Sequence, residues 1–249
     1  MSAGAPVGTD REGGAALPPL ASPPGPCSNA AYWLLWAGLR LLFRIWFRLR
    51  IEGAPPRAGA FVLAANHASF LDPVLLGTAV RRRVVYLMTA VVWRSPKLGW
   101  FYRWNRTIPL AASGGNREAM RAARLVLQQG RVIGIFPEGG VSRDGRPLLG
   151  SPGAVSLVLN EGVPIVPVGI VGAYDALPPG AAFPRPRRIT IRFGAPITAA
   201  ELEAAAHGDR RQRLQAATQV IMQHLAELTG KQSREAELAL AAKDRRGQV

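Results

Sequence analysis

Phe61-Val62-Leu63-Ala64-Ala65 is apolar at every position, and Ile165-Val166-Pro167-Val168-Gly169-Ile170-Val171 carries no polar side chain anywhere along it. Strands with so little alternation are stable where helices cover both faces of a sheet. The rest of the chain supplies such helices. Strand patterns at 84–88, 107–110, 132–136 and 188–193 interleave with helix patterns at 116–129 and 154–160, and Gly130 and Gly162 stand where helix C-caps are needed. The expected fold is α/β, a mixed β-sheet flanked by helices, with active groups at strand ends, where open α/β sheets gather their ligands. A further helix over 199–228, with Val220, Ile221, Leu225 and Leu228 on one side, is expected to pack on the core.

Two strand ends carry polar residues. The first strand runs into Asn66-His67-Ala68-Ser69-Phe70-Leu71-Asp72, followed by Pro73. On a single helix, the five-residue offset from His67 to Asp72 would turn the two side chains about 140° apart. They meet if His67 lies in the turn leaving the strand and Asp72 opens the next helix, where proline is tolerated because an early position needs no N–H donor. A carboxylate on one ring nitrogen would fix the tautomer and leave the other nitrogen to accept a proton. A structural pair that merely closes the turn fits the same spacing. The second strand end, Phe136-Pro137-Glu138-Gly139-Gly140, sets a carboxylate beside two glycines, a composition suited to close approach of a ligand.

These blocks resemble the glycerolipid acyltransferases of the lysophosphatidic acid acyltransferase type. Asn66 to Asp72 is similar to that family's NHxxxxD block, and Phe136-Pro137-Glu138-Gly139 to its FPEG block. Val163-Pro164-Ile165-Val166-Pro167-Val168 is similar to its fourth, proline-containing block. Order and spacing agree over about residues 48–196. The resemblance implies a glycerol-3-phosphate acyltransferase-like fold and transfer of an acyl chain from an acyl-CoA or acyl-ACP thioester to the hydroxyl of a lysophospholipid, with 1-acylglycerol 3-phosphate giving phosphatidic acid. His67 would deprotonate the hydroxyl, and Asp72 would orient the ring and stabilise its imidazolium, as a buried aspartate does in hydrolase triads. Asn66 and Ser69 are expected to line the substrate site. Glu138 is expected either to bond an acceptor hydroxyl or to cap a turn, and Gly139 and Gly140 to offer N–H groups to an oxyanion or phosphate.

No cofactor and no enzyme nucleophile is implied. The one cysteine, Cys27, lies in a tail, no Gly-x-Ser-x-Gly elbow follows a strand, and the three histidines lack metal-ligand spacing. The family's second and third blocks usually carry arginines thought to hold the acceptor phosphate, and Ala112 and Val141 occupy those positions here. Arg106, Arg117 and Arg143 are the nearest substitutes in sequence, so a different lysolipid acceptor is a live alternative. A catalytically silent lipid-binding or membrane-scaffold protein on the same fold is a second one.

At 249 residues the chain is long enough for one good core. Its net charge of +15, from 31 Lys and Arg against 16 Asp and Glu, points to an anionic partner, unless it reflects only a compositional taste for arginine. Residues 1–27, rich in Pro, Gly and Ala and without a secretory pattern, are expected to be disordered. Residues 28–50 form an amphipathic helix in which Arg40, Arg44 and Arg48 recur every fourth position among aromatic and aliphatic residues. The uncharged stretch is too short to span a bilayer, and the helix is expected to lie in the membrane interface, with Trp33, Trp36 and Trp46 at the acyl boundary; a core helix capped by arginines is the alternative. Residues 51–230 form the acyltransferase domain and 231–249 a charged tail. A second aromatic and basic cluster, 93–106, suits a membrane better than single-stranded nucleic acid, and no nucleic-acid partner is expected. The expected location is the cytoplasmic face of the inner or plasma membrane. His207 and His224 are expected at surface or packing positions.

Overall fold

The structure is a computed structural model that describes residues 26–111, 115–145, 150–205 and 208–231. Seven strands, β1 (Arg50–Glu52), β2 (Phe61–Ala65), β3 (Val84–Thr89), β4 (Ile108–Leu110), β5 (Val132–Ile135), β6 (Ile165–Val171) and β7 (Thr190–Phe193), pair in the order β1-β7-β6-β2-β5-β3-β4. The unpatterned strand β2 is central, parallel to β5 on one side and β6 on the other. β3 and β4 continue the parallel run, while β7 pairs antiparallel to β6 and carries β1, so the sheet is mixed.

Both faces of β2 are covered, as its composition demands. Phe61, Leu63 and Ala65 enter one core with Phe43, Phe47, Leu75 and Leu76, from α1 (Pro26–Trp46), the residue following it, and α2 (Asp72–Ala79). Val62 and Ala64 enter the other, beneath α5 (Arg117–Gln128), α6 (Gly153–Glu161), α8 (Ala199–Ala204) and α9 (Arg210–Thr229). All five β2 side chains have zero exposure, and full burial of a side chain the size of Phe or Leu contributes about 1.5–3 kcal/mol. Three short helices, α3 (Ala90–Trp93), α4 (Gly99–Trp104) and α7 (Ala173–Ala176), follow the ends of β3 and β6.

Two elements differ from the sequence reading. The helix expected over 199–228 is two helices, because Gly208 takes φ +98° and Asp209 starts a new one. Each has a reciprocal capping box, Thr198 with Glu201 and Asp209 with Gln212, which satisfies N-terminal donors in place of a continuous helix. The arginine stripe on α1 is also broken. Trp36 Nε1 donates to Gly77 O and Val80 O at 3.0 Å, and Arg40 Nη1 to Thr78 O at 2.7 Å, so both side chains serve the carbonyls at the C-terminus of α2. Arg48 has left the helix with φ +47°. Arg44 alone of the three stays exposed on the helix, together with the apolar side chains of Leu34, Leu41, Leu42 and Ile45.

No helix among the described residues is long and apolar enough to cross a membrane. The tails at 1–25 and 232–249, Ala112 and His207 lie outside the described residues. His224 sits half-buried on α9 with Nδ1 2.9 Å from Val220 O, a packing position.

Candidate active site

β2 ends one residue before Asn66, and His67 lies in the turn that follows. Asp72 is the first residue of α2, with Pro73 behind it. One oxygen of Asp72 closes the turn: Oδ2 accepts the main-chain N–H groups of Ala68 and Ser69, each at 2.7 Å, and meets His67 Nδ1 at 3.0 Å. The two sequence readings of this pair are thus one arrangement, since the carboxylate that clamps the turn also holds the ring. Asp72 has no exposure and its Oδ1 has no hydrogen-bond partner among the described residues. Complete burial pushes its carboxyl above the usual carboxylate range, opposed by the hydrogen bond and charge of His67 and by the Ser69 and Ala68 N–H groups. With Nδ1 engaged, Nε2 is the nitrogen of His67 left for an incoming group.

The end of β5 supports this turn from the other side. Glu138 Oε1 accepts the His67 N–H at 2.9 Å, and the Ser142 N–H donates to His67 O at 2.8 Å, so both main-chain groups of the histidine are held by one loop. Phe136 stacks on the imidazole with centroids 4.1 Å apart and planes 23° from parallel. Behind it Tyr86 lies parallel at 6.2 Å and donates its hydroxyl to Pro73 O at 2.8 Å, tying the stack to the start of α2. Tyr86 fits because Gly134 has no side chain: a Cβ there would meet Tyr86 Cε1 at 2.5 Å. Phe136, Tyr86 and Ser142 were not singled out from sequence, although Phe136 belongs to the FPEG block.

Several expected substrate contacts are structural. Asn66 is buried, its Nδ2 donating to Ile170 O at 3.0 Å and its Oδ1 accepting Ile170 N at 2.6 Å, so it extends the ladder between β2 and β6. Ser69 is fully buried, with Oγ donating to Leu177 O at 2.8 Å. The Gly139 N–H closes a turn onto Phe136 O at 3.1 Å, which its φ of +70° permits. Gly140 keeps an N–H without a hydrogen bond among the described residues, and Glu138 is buried with its Oε1 bonded to the turn.

The three candidate arginines separate. Arg143 stays on the loop that reaches His67, its carbonyl accepting from Tyr174 Oη at 2.9 Å. Arg106 is at the wrong level of the sheet. β4 pairs Ile108 with Leu87, Tyr86 pairs with Gly134, and Gly134 with Leu63, so Ile108 is level with Ala64 and Arg106 with Val62. That is five strand positions before His67, about 16 Å along the sheet. Its charged neighbours, Arg83 and Arg131, precede β3 and β5 at the opposite edge. Arg117, at the start of α5 beyond the end of β4, stands at the His67 edge and is exposed. No group of three or more metal-ligating side chains occurs among the described residues.

The acyltransferase family model matches residues 48–171, from just before β1 to the end of β6, a span that contains His67, Asp72 and Glu138. The chain belongs to the acyltransferase family. It is 32% identical over 156 residues to a 1-acyl-sn-glycerol-3-phosphate acyltransferase of Limnanthes douglasii, covering 60% of this chain and 54% of that one. A Bacillus subtilis protein of the same name is 25% identical over 181 residues, covering 72% and 86%. A lyso-ornithine lipid O-acyltransferase of Pseudomonas aeruginosa is 31% identical over 149 residues, covering 59% and 56%. The chain spans about half the length of most of these relatives. The crystal structure of the 1-acyl-sn-glycerophosphate acyltransferase PlsC of Thermotoga maritima shares the fold, with a TM-score of 0.62 at 21% identity over 83% of this chain and 84% of that one.

Proposed function

We infer that this acyltransferase moves a fatty acyl group from a coenzyme A or acyl-carrier-protein thioester to the free hydroxyl of a lysophospholipid, 1-acylglycerol 3-phosphate first among them. The observation that carries this is the 3.0 Å contact between His67 Nδ1 and the wholly buried Asp72. His67 Nε2 takes the hydroxyl proton as the acceptor oxygen attacks the thioester carbonyl, and the imidazolium is stabilised by Asp72 across the ring. The tetrahedral oxyanion is met by N–H donors, of which Gly140 is the candidate. Collapse breaks the carbon–sulfur bond, and the imidazolium returns its proton to the departing thiolate. Attack is direct in this reading, since no serine, threonine or cysteine side chain is hydrogen-bonded to the His67 ring among the described residues, and Cys27, expected in the tail, is an exposed residue at the start of α1.

The partner surface is a membrane on its cytoplasmic side. α1 supports this reading, because its inner face is fixed by Trp36 and Arg40 while Leu34, Leu41, Leu42, Ile45 and Trp46 face outward, as on helices that lie in a bilayer interface.

A second acceptor class has its own support. Ala112 and Val141 stand where the resemblance expects phosphate-holding arginines, Arg106 is at the far edge, and one relative is named for an acceptor that is a lyso-ornithine lipid. An acceptor panel decides. Detergent-extracted protein is given acyl-CoA with lysophosphatidate, glycerol 3-phosphate or a lysolipid without a phosphate monoester, and free thiol is followed. Thiol release dependent on lysophosphatidate supports the first reading, and preference for the last acceptor supports the second. Release without any acceptor points to thioester hydrolysis, and no release with any of them to a silent lipid-binding protein; either result removes the transferase reading.

A further inference from the structure

The segment joining α7 to β7 reads Pro178-Pro179-Gly180-Ala181-Ala182-Phe183-Pro184-Arg185-Pro186-Arg187-Arg188. It holds three arginines, four prolines and no acidic residue. Every residue from 182 to 188 is exposed, and Phe183 is the most exposed large apolar side chain among the described residues, at 83%. Prolines limit the loop's freedom, and two main-chain bonds fix its base, Ala181 N to Pro178 O at 3.0 Å and Arg185 N to Ala176 O at 2.7 Å. Its root adjoins the catalytic turn, because Leu177 O receives the Ser69 hydroxyl. β2, β3 and β6 run in one direction, so Phe70, Val91 and Phe183, which follow their ends, share the His67 edge, and all three are exposed. By contrast, Leu125 is the lone exposed large apolar side chain on α5, α6, α8 and α9 among the described residues.

We propose that the loop 178–188 is a membrane-docking finger that seats the active edge on an anionic bilayer, Phe183 entering the acyl boundary while Arg185, Arg187 and Arg188 meet lipid phosphates. The charge pattern selects this occupant: guanidinium groups bind phosphate bidentately, and an aromatic tip ahead of a cationic base matches the layering of a bilayer surface. A flat acidic protein would use the arginines and leave Phe183 in water. The finger deepens the functional reading, on which it rests, by naming how a lipid-borne hydroxyl is brought level with His67.

Sedimentation with vesicles of phosphatidylcholine alone, or mixed with phosphatidylglycerol, tests it on the full chain. Each arginine near an anionic surface is worth about fivefold in binding, so R185Q/R187Q/R188Q is expected to bind mixed vesicles on the order of 100-fold more weakly and to lose most of the salt dependence. Phe183→Ser is expected to weaken binding about tenfold on both vesicle types with salt dependence retained. Thiol release with a monomeric, short-chain lysolipid should be unchanged in both variants, while turnover of vesicle-borne acceptor falls with binding. Wild-type vesicle binding by the triple variant overturns the proposal. So does a loss confined to acyl-carrier-protein turnover, which would make the arginines a protein-docking site. Absence of transfer by the unaltered protein would sink the transferase reading, yet vesicle binding would still judge the finger.

Discussion

Replacing Asp72 by Asn separates the two jobs of this side chain. Oδ2 alone accepts the Ala68, Ser69 and His67 bonds, so the amide oxygen of Asn is expected to take that place, keeping the turn and the ring tautomer. The amide nitrogen then falls where Oδ1 now lies, buried and without a partner, at a cost of about 1–3 kcal/mol in stability, partly offset by removal of a buried charge. What is lost for chemistry is the charge opposite the imidazolium. A hydrogen bond to a charged group is worth about 1.5–3 kcal/mol against about 0.5–1.5 for a neutral one, and the low dielectric of the site enlarges the difference. A loss of about 2–3 kcal/mol in the transition state corresponds to roughly 30- to 160-fold in kcat. Acyl-CoA and lysophosphatidate at saturation, with free thiol read continuously, give the rate directly. Asp72→Ala should fall further, because the Ala68 and Ser69 N–H groups lose their acceptor too. Turnover by Asp72→Asn equal to the unaltered enzyme would refute the idea that this carboxylate acts through the ring.

Glu138→Gln keeps an acceptor for the His67 N–H and should retain activity, whereas Glu138→Ala strands that donor and should lower kcat more than it raises KM; equal loss in both would point to a substrate contact instead. Gly134→Ala should cost about 1–3 kcal/mol in urea unfolding, since the new methyl overlaps Tyr86 and Val84, and an unchanged midpoint would contradict that packing. The raised Asp72 carboxyl gives a signed pH effect: the stability held by its protonated form is full below the ordinary carboxylate range and is lost as pH rises through its higher folded value. Unfolding of both proteins across acidic pH should therefore show the unaltered chain losing stability relative to Asp72→Asn as pH increases, and the reverse trend would mean the hydrogen bonds outweigh burial.

Long-range order was legible where composition left one physical option. β2 and β6 could not be half-solvated, and they lie at the centre of the covered sheet. The His67 and Asp72 pairing was legible because a strand end and a helix start can be joined by that spacing in few ways. The functions of Asn66 and Ser69 were not, because their partners, Ile170 and Leu177, are more than one hundred residues away and nothing local announces them. Proximity in sequence misled for Arg106, since a residue before a parallel strand and one after it lie at opposite edges. The break between α8 and α9 did leave signals, two capping boxes and Gly208, which the apolar spacing of the later residues overrode. For α1 the periodicity identified an amphipathic helix, but which face meets α2 depended on Trp36 and Arg40 reaching carbonyls in a distant element.

The most direct test is single-turnover thiol release by His67→Gln, with and without lysolipid, beside the unaltered protein. If Nε2 is the base for a direct attack, the unaltered protein releases thiol only when acceptor is present, and the variant releases almost none. An acceptor-independent burst in the unaltered protein, or full turnover by the variant, would contradict the mechanism at its centre.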